Sequence, residues 1–239
     1  AVSPAGFNRV KKLFPQAKYG GYIPLLSDLS NAPSALDSEA EDGKTGGPIV
    51  FGYIGTHAKA RKLEIVLQAV VQAIGAGIDA RFLFVGGKAT EIDALMVVPG
   101  VDRLVQNEII RFEPRVSRTR IPEILAEVDV GLSLIPPSPA YREASPTKLA
   151  EYMGAGLAVL ASRGIPLQEQ FVNESGGGLL VEWNSQSIAD GIVEICVADT
   201  MSLMDMKRRS LTYAATKLNY ACYLPLILRM VGRGCSGEN

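Results

Sequence analysis

Short apolar runs alternate with longer amphipathic segments along most of the chain. The runs are rich in β-branched and aromatic residues, and they are apolar throughout rather than at every second position. Such runs predict strands that are buried on both faces of a sheet. The predicted strands are residues 49–54, 81–85, 109–112, 130–134, 158–161 and 178–181.

Helical patterns lie between these strands. They cover residues 62–74, 91–97, 119–127, 146–154, 167–172 and 187–197. A repeat of strand, helix and strand predicts parallel strands that are joined by right-handed crossovers. We therefore expect an α/β fold with a Rossmann-like, doubly wound parallel sheet.

The first 47 residues do not follow this repeat. Residues 1–15 are compatible with a helix and residues 20–25 with a short strand, whereas residues 27–47 have the composition of a linker. A segment of this length cannot build its own hydrophobic core. We therefore interpret residues 1–47 as the remnant of another domain plus a linker, and we expect the main domain to begin near Pro48.

Composition narrows the classes of function. The 24 basic side chains nearly balance the 25 acidic ones, and a net charge of −1 without a basic block gives no reason to expect nucleic-acid binding. The three cysteines lack metal-ligand spacing, which favours reduced thiols and a cytoplasmic protein. The apolar segment 220–231 is too short to span a membrane and predicts a docked helix, with weak contact to a membrane surface left open.

Cations follow two of the predicted strands. Gly55 and Thr56 come directly after the first strand, with Lys59 and Arg61 just before the next helix. Residues 86–88, Gly-Gly-Lys, follow the second strand. Open parallel sheets bind ligands beyond the carboxyl ends of their strands. These positions therefore predict a site for an anion such as phosphate.

The segment after the fourth strand carries a more specific signal. Ser145 as the cap and Pro146 at the first helical position predict the start of a helix. Lys148 follows in the first turn, where a cation opposes the helix dipole. Two explanations stay open: Lys148 points to solvent, or an anion is held by the N–H groups, the Thr147 hydroxyl and the Lys148 ammonium.

Two carboxylates, Glu143 and Glu151, bracket this helix start. Eight helical residues span about 12 Å, which is longer than the separation of an acid/base pair on one glycosidic bond. The spacing suits two carboxylates that accept hydrogen bonds from hydroxyls on opposite sides of a diphosphate.

These residues resemble the signature of a large enzyme family. Seven residues, ASPTKLA, separate Glu143 from Glu151, and YMGAG and an apolar strand, LAVLAS, follow. With GYIGTHAKARKLEIVLQAV, FLFVGG, IPEILAEVDVGLSLIP and GGGLLV in order, the pattern resembles the glycosyl transferases group 1 family of retaining enzymes with the GT-B fold. The resemblance covers roughly residues 49–195, and it implies the C-terminal, donor-binding half of such an enzyme.

The resemblance implies roles for individual residues. Glu143 would be the catalytic carboxylate beside the reacting carbon of the donor sugar, and Glu151 would bind the ribose hydroxyls. Backbone N–H groups of the segment Ser145, Pro146, Thr147 and Lys148 would hold the diphosphate. Residues 111–114, beginning with Arg111, would lie near the nucleotide base.

The loop after the first strand departs from the family pattern. The family usually has an Arg directly after the first Gly and a Lys five residues later. Here Gly55 is followed by Thr56, and Arg61 stands at the Lys position. Arg61 keeps the positive charge, and Lys59 and Lys62 are candidate replacements for the missing Arg. Gly86 completes the predicted donor-binding set.

The resemblance also implies what lies outside this half. In such enzymes an N-terminal domain supplies the site for the sugar or lipid-linked acceptor. We expect residues 48–200 to form the nucleotide-sugar-binding domain, and residues 201–239 to form a helical segment that packs back on the missing domain. The predicted reaction transfers a sugar from a nucleotide-diphosphate sugar to a hydroxyl with retention, in polysaccharide biosynthesis. We expect no cofactor and no metal, and no activity from this chain alone.

Two other functions stay open. A sugar-nucleotide epimerase of similar fold would need extra histidines and carboxylates around the sugar, but His57 is the only histidine in the chain. A non-catalytic nucleotide-sugar-binding subunit is favoured by Thr56 at the usual Arg position. The presence of Glu143, Glu151 and Lys148 favours the transferase instead.

Overall fold

A computed structural model of the chain describes residues 3–16, 23–24, 47–139, 141–142 and 144–232. Within these residues, six parallel strands form one sheet in the order β3-β2-β1-β4-β5-β6. The strands are β1 (Ile49–Ile54), β2 (Ala80–Gly87), β3 (Ile110–Pro114), β4 (Val130–Ser133), β5 (Ala158–Ser162) and β6 (Gly178–Val181). This confirms the predicted doubly wound, Rossmann-like sheet.

Helices follow the strands along the chain and cover both faces of the sheet. They are α1 (Pro4–Leu13), α2 (Leu63–Gly75), α3 (Ala89–Met96), α4 (Val101–Gln106), α5 (Ile121–Glu127), α6 (Thr147–Gly154), α7 (Pro166–Ser175), α8 (Ser185–Val197), α9 (Thr200–Lys217) and α10 (Tyr220–Gly232). The sequence pattern predicted a helix within residues 1–15, and α1 confirms it. It did not predict α4, whose six residues are too few for a clear helical period. The linker predicted at 27–47 and all but two residues of the strand predicted at 20–25 lie outside the described residues, Gly47 excepted.

The sheet separates two hydrophobic cores. On one face, Phe51 and Phe82 stack with their ring centroids 5.1 Å apart and pack with residues of α2 and α8. On the other face, side chains of β2 and β5 pack with residues of α5, α6, α7 and α9. Each large apolar side chain that is fully buried contributes roughly 1.5–3 kcal/mol to stability. Burial on both faces explains why the strands are apolar throughout.

The strand order reverses between β1 and β4. These two strands pair only through Phe51 and Gly52, opposite Val130 and Gly131. By contrast, β1 pairs with β2 along all six of its residues, from Ile49 to Ile54. The sheet therefore opens between the carboxyl ends of β1 and β4, which is the position where such folds bind ligands.

Helix α9 belongs to the core of this domain. The Ser210 hydroxyl donates to the Gly177 carbonyl at 2.9 Å, and the Tyr213 hydroxyl donates to Glu174 at 2.6 Å. Lys207 lies 3.0 Å from Asp129. Helix α9 packs against β5, α6 and α7 of this sheet. Packing of the segment 201–239 on a further domain stays a prediction.

Apolar side chains are exposed on the two terminal helices. Leu13 and Phe14 at the end of α1 are 66% and 62% exposed, and Tyr220 and Leu228 of α10 are 71% and 61% exposed. Within the described part of the chain, no helix combines the length and hydrophobicity that crossing a membrane requires.

Candidate functional site

A cleft of about 690 Å³ lies where the sheet opens between β1 and β4. The loops after β1, β2, β3 and β4 and the start of α6 form its walls. The lining residues are Tyr53, Ile54, Gly55, Thr56, Ala58, Arg61, Val85, Gly86, Lys88, Glu91, Arg115, Val116, Arg118, Ile121, Leu132, Ser133, Leu134, Ile135, Tyr141, Ala144, Ser145, Pro146, Thr147, Lys148 and Tyr152. Its volume is in the range of pockets that hold a ligand of nucleotide size.

The lining of this cleft is strongly basic. Among the described residues that line it, five carry a positive charge and Glu91 alone carries a negative charge. The whole chain, by contrast, has a net charge of −1. Cations gathered in a concave site raise the local concentration of anions. The cleft is therefore suited to a ligand that carries several negative charges.

Glycines bring the loops after β1 and β2 into direct contact. The Gly55 N–H donates to the Val85 carbonyl at 2.9 Å, which extends the β1–β2 pairing by one residue. Gly86 has φ = 115°, and a Cβ atom at this position would lie 2.4 Å from the Gly55 carbonyl oxygen. Only glycine meets both demands without strain. The two loops therefore form one rigid wall of the cleft.

His57 fills the space behind this wall. It is 4% exposed and lies among the rings of Tyr53, Phe84 and Phe112, with centroids 5.9–6.5 Å from its own. Neither ring nitrogen has a hydrogen-bond partner among the described residues. Burial lowers the pKa of His57, which keeps the ring neutral near pH 7. Over the same residues, no three His, Cys, Asp or Glu side chains form a group that could hold a metal ion.

A buried hydrogen-bond network anchors the loop after β4. The Ser133 hydroxyl donates to the Gln168 side-chain oxygen at 2.6 Å, and the Gln168 amide donates to the Ser162 carbonyl at 2.7 Å. The Ser162 hydroxyl donates to the Ile135 carbonyl at 2.7 Å and accepts from the Ile135 N–H at 2.9 Å. The network joins the ends of β4 and β5 to α7, so the opposite wall is held by polar contacts.

Helix α6 begins one residue later than the sequence predicted. Thr147 is its first residue and Pro146 its cap, and among the residues that the structure describes no side chain forms a capping hydrogen bond at this end. The prediction of Ser145 as the cap is wrong because Pro146 has ψ = 82°, which is not helical, and the Thr147 N–H donates to the Ser145 carbonyl at 2.9 Å. Lys148 therefore occupies the second helical position rather than the third.

Tyr152 of α6 lies in the opening between β1 and β4, at the base of the cleft. Its side chain is 1% exposed, and its hydroxyl accepts a hydrogen bond from the Ile54 N–H at 2.8 Å. A Cβ atom on Gly131 of β4 would lie 2.4 Å from the Tyr152 ring. The tyrosine thus replaces the carbonyl that a paired β4 would offer to Ile54. Burial raises the pKa of Tyr152 and keeps the hydroxyl protonated.

Comparison with known proteins assigns this chain to a family. Residues 48–197 match the sequence profile described as glycosyl transferases group 1. This chain belongs to the group 1 glycosyltransferase family. No functionally curated protein matches it significantly.

Solved structures with the same fold are GT-B glycosyltransferases of low sequence identity. A glycosyltransferase from Rickettsia africae is 15% identical with a TM-score of 0.73, and the match covers 100% of this chain and 63% of that one. Sucrose-phosphate synthase from Thermosynechococcus elongatus is 18% identical with a TM-score of 0.68, over 98% of this chain and 58% of that one. Anabaena HepE in complex with UDP and glucose is 18% identical with a TM-score of 0.66, over 98% and 62%. This chain therefore spans about three-fifths of the length of these proteins.

Most of the residues that the sequence predicted for donor binding meet in the cleft of this glycosyltransferase domain. The predicted residues that line it are Gly55, Thr56, Arg61, Gly86, Ser145, Pro146, Thr147 and Lys148. Lys59, Arg111 and Glu151 do not line it. Glu143 lies outside the described residues.

Lys148 forms an ion pair along α6, and the two explanations that the sequence left open for it stay predictions. Its ammonium donates to the Glu151 carboxylate at 2.7 Å, across one turn of α6. Both side chains are partly exposed, at 42% for Lys148 and 32% for Glu151. The pair brings the Glu151 carboxylate next to the cleft without placing it in the lining.

The arginines that line the cleft after β3 do not include Arg111, the one that the sequence predicted. Arg111 turns to Glu127 and Glu113, at 2.5 Å and 3.2 Å, and the hydrogen bond to Glu127 raises its pKa. Arg115 and Arg118 line the cleft instead. The run RFEPRVSRTR contains the signal, because residues beyond the carboxyl end of a parallel strand face the ligand edge.

Proposed function

We propose that this domain binds the diphosphate of a nucleotide sugar and acts as the donor half of a glycosyltransferase. The observation that carries the proposal is the basic cleft at the point where the strand order reverses. A diphosphate needs several positive charges and N–H donors in one place. Arg61, Lys88 and Lys148 reach the cleft from three different loops or helices.

The start of α6 is the proposed seat of the diphosphate. The first turn of a helix directs N–H groups and a partial positive charge outward, which favours a bound anion. Thr147 and Lys148 line the cleft at this end, and no side chain among the described residues caps the helix with a hydrogen bond. When an anion is bound, we expect Lys148 to contact both the anion and Glu151, because an ammonium has three donors.

The two carboxylates of the family signature take the proposed roles at either end of the donor. Glu151 accepts hydrogen bonds from the ribose hydroxyls, and Glu143 lies beside the donor sugar in a transfer with retention. The acceptor, a sugar or a lipid-linked sugar, binds through a further domain. On this proposal the chain binds the donor by itself but does not transfer the sugar.

A thermal-shift screen with UDP, GDP, ADP and their sugars tests donor binding. A ligand at 100 times its dissociation constant stabilises the fold by about 2.7 kcal/mol, which is a readily measured shift. We expect one base to be preferred. No shift with any of these nucleotides would contradict the proposal.

Paired carboxylate variants test the proposed division of roles. Glu151→Gln should weaken binding of the bare nucleotide diphosphate, because every such nucleotide has the ribose. Glu143→Gln should leave that affinity unchanged and weaken only the sugar-bearing donor. Equal loss of bare nucleotide in both variants would contradict the assignment.

A non-catalytic, nucleotide-sugar-binding subunit is the second candidate, and Thr56 favours it. Thr56 is exposed at the cleft, where the family usually has a charged Arg for phosphate. The two candidates predict the same donor binding but differ in turnover. Joined to an N-terminal acceptor domain, the transferase releases nucleotide diphosphate from the donor when acceptor is present, whereas the binding subunit does not.

A further inference from the structure

Arg61 and Tyr141 form a contact between opposite walls of the cleft. Arg61 lies in the loop after β1 and Tyr141 in the loop after β4, and the guanidinium carbon lies 5.2 Å from the centre of the tyrosine ring. Both side chains line the cleft. This is the range of a cation–π interaction, which holds a guanidinium against a ring without using a hydrogen bond.

Arg61 lies at the end of a short turn whose backbone conformation is unusual. Residues Lys59–Arg61 form one 3-10 turn, and Lys62 follows with φ = 49° and ψ = 44°. A non-glycine residue in the left-handed region costs roughly 1–2 kcal/mol. The Tyr53 hydroxyl fixes the start of the loop by donating to the Thr56 carbonyl at 3.0 Å. The turn that places Arg61 in the cleft is thus strained at Lys62, and the Tyr53 hydrogen bond fixes the loop that leads into it.

The arginines that line the cleft, Arg61, Arg115 and Arg118, differ from two others near it. Arg111 and Arg120 each form an ion pair with a glutamate. The ion pairs between described residues do not include Arg61. A guanidinium on an aromatic ring keeps its five in-plane N–H donors for another partner, whereas an ion pair would occupy them.

We propose that Tyr141 is a positioning residue that holds Arg61 in place to bind the diphosphate of the donor. This inference rests on the proposed function of the cleft. A long arginine side chain loses rotamer freedom when it binds a ligand. Because Tyr141 restricts Arg61 before the ligand arrives, part of that loss is already incurred in the empty cleft.

A double-mutant cycle read by calorimetry tests this proposal. UDP, GDP and ADP are titrated in parallel with uridine, guanosine and adenosine. Tyr141→Leu should weaken the preferred nucleoside diphosphate about three- to tenfold, and Tyr141→Phe, which keeps the ring, should change it less than about twofold. The nucleoside should bind equally to all these variants. Tyr220→Leu, at an exposed tyrosine of α10, is the matched control.

The Arg61→Ala background separates positioning from direct contact. If Tyr141 acts through Arg61, adding Tyr141→Leu to Arg61→Ala should cause no further loss of diphosphate affinity. A further loss in this background, a loss shared by the nucleoside, or unchanged affinity in Tyr141→Leu would each overturn the proposal. If the wild-type chain binds none of the three diphosphates, the proposed function itself fails. The two failures are therefore distinguishable.

Discussion

The two walls of the cleft are built on different physical principles. The wall after β1 and β2 depends on close backbone approach, at Gly55 and Gly86, and on aromatic packing around His57. The wall after β4 depends on satisfied polar groups, since Ser133 and Gln168 are buried and hydrogen-bonded to each other. One wall is fixed by shape and the other by hydrogen bonds.

This difference determines which changes each wall tolerates. A wall fixed by shape should be sensitive to added atoms and to a charge on its buried histidine. A wall fixed by hydrogen bonds should be sensitive to the loss of a single polar group, because each unsatisfied partner costs about 1–3 kcal/mol. Three substitutions test these different sensitivities of the two walls.

Gln168→Leu should have the largest effect on stability. The change keeps the approximate volume but leaves the Ser133 hydroxyl and the Ser162 carbonyl without their Gln168 partners. We expect a loss of roughly 2–4 kcal/mol in the free energy of unfolding, measured with urea. Gln170→Leu on the same helix is the control, because its bond to Glu174 is exposed. Equal stability of the two variants would show that the network does not hold this wall.

Gly86→Ala should come next. The added Cβ meets the Gly55 carbonyl, and φ = 115° is unfavourable for alanine, so the expected loss is about 1–3 kcal/mol. Gly75→Ala is the matched control, because a Cβ at Gly75 meets nothing within 4 Å and the residue ends helix α2. The control should be neutral or slightly stabilising. If Gly86→Ala unfolds at the same urea concentration as wild type, the first wall is not fixed by shape.

His57→Leu should have the smallest effect, visible only in the pH dependence of stability. Burial lowers the pKa of His57 in the folded state, so the unfolded chain binds the proton first as the pH falls below about 6.5. Wild type should therefore lose stability relative to the variant below that pH, by at most about 1.4 kcal/mol per pH unit. Between pH 7 and 8 the difference should be constant. If the difference in stability between wild type and variant stays constant down to pH 5, His57 binds its proton equally in the folded and unfolded chains, which would contradict the prediction.

The sheet was predictable from sequence because its strands are buried on both faces. Each predicted strand begins and ends within about two residues of the observed one. An apolar run as short as 158–161 is typical of a buried strand. The role of α9 was not predictable. Its residues Ser210 and Tyr213 carry polar groups, yet both are buried against the sheet.

The candidate site was predictable where position along the chain implies position in space. Gly55, Gly86 and Lys148 all follow strands or begin a helix at the carboxyl edge, and all line the cleft. The contacts between distant segments were not predictable. Neither the pairing of Tyr141 with Arg61 nor the hydrogen bond from Ile54 to Tyr152 leaves a periodic or local signal in the sequence.

The central claim is that the basic cleft recognises a diphosphate on a nucleoside, and one calorimetric comparison tests it most directly. The preferred nucleoside diphosphate and the matching nucleoside are titrated into wild type at about 20 mM and about 200 mM salt. We predict that the diphosphate binds at least about tenfold more tightly at low salt, because each charge-assisted hydrogen bond is worth roughly 1.5–3 kcal/mol, and that the gap narrows at high salt. If the nucleoside diphosphate and the nucleoside bind with equal affinity at both salt concentrations, the account is contradicted.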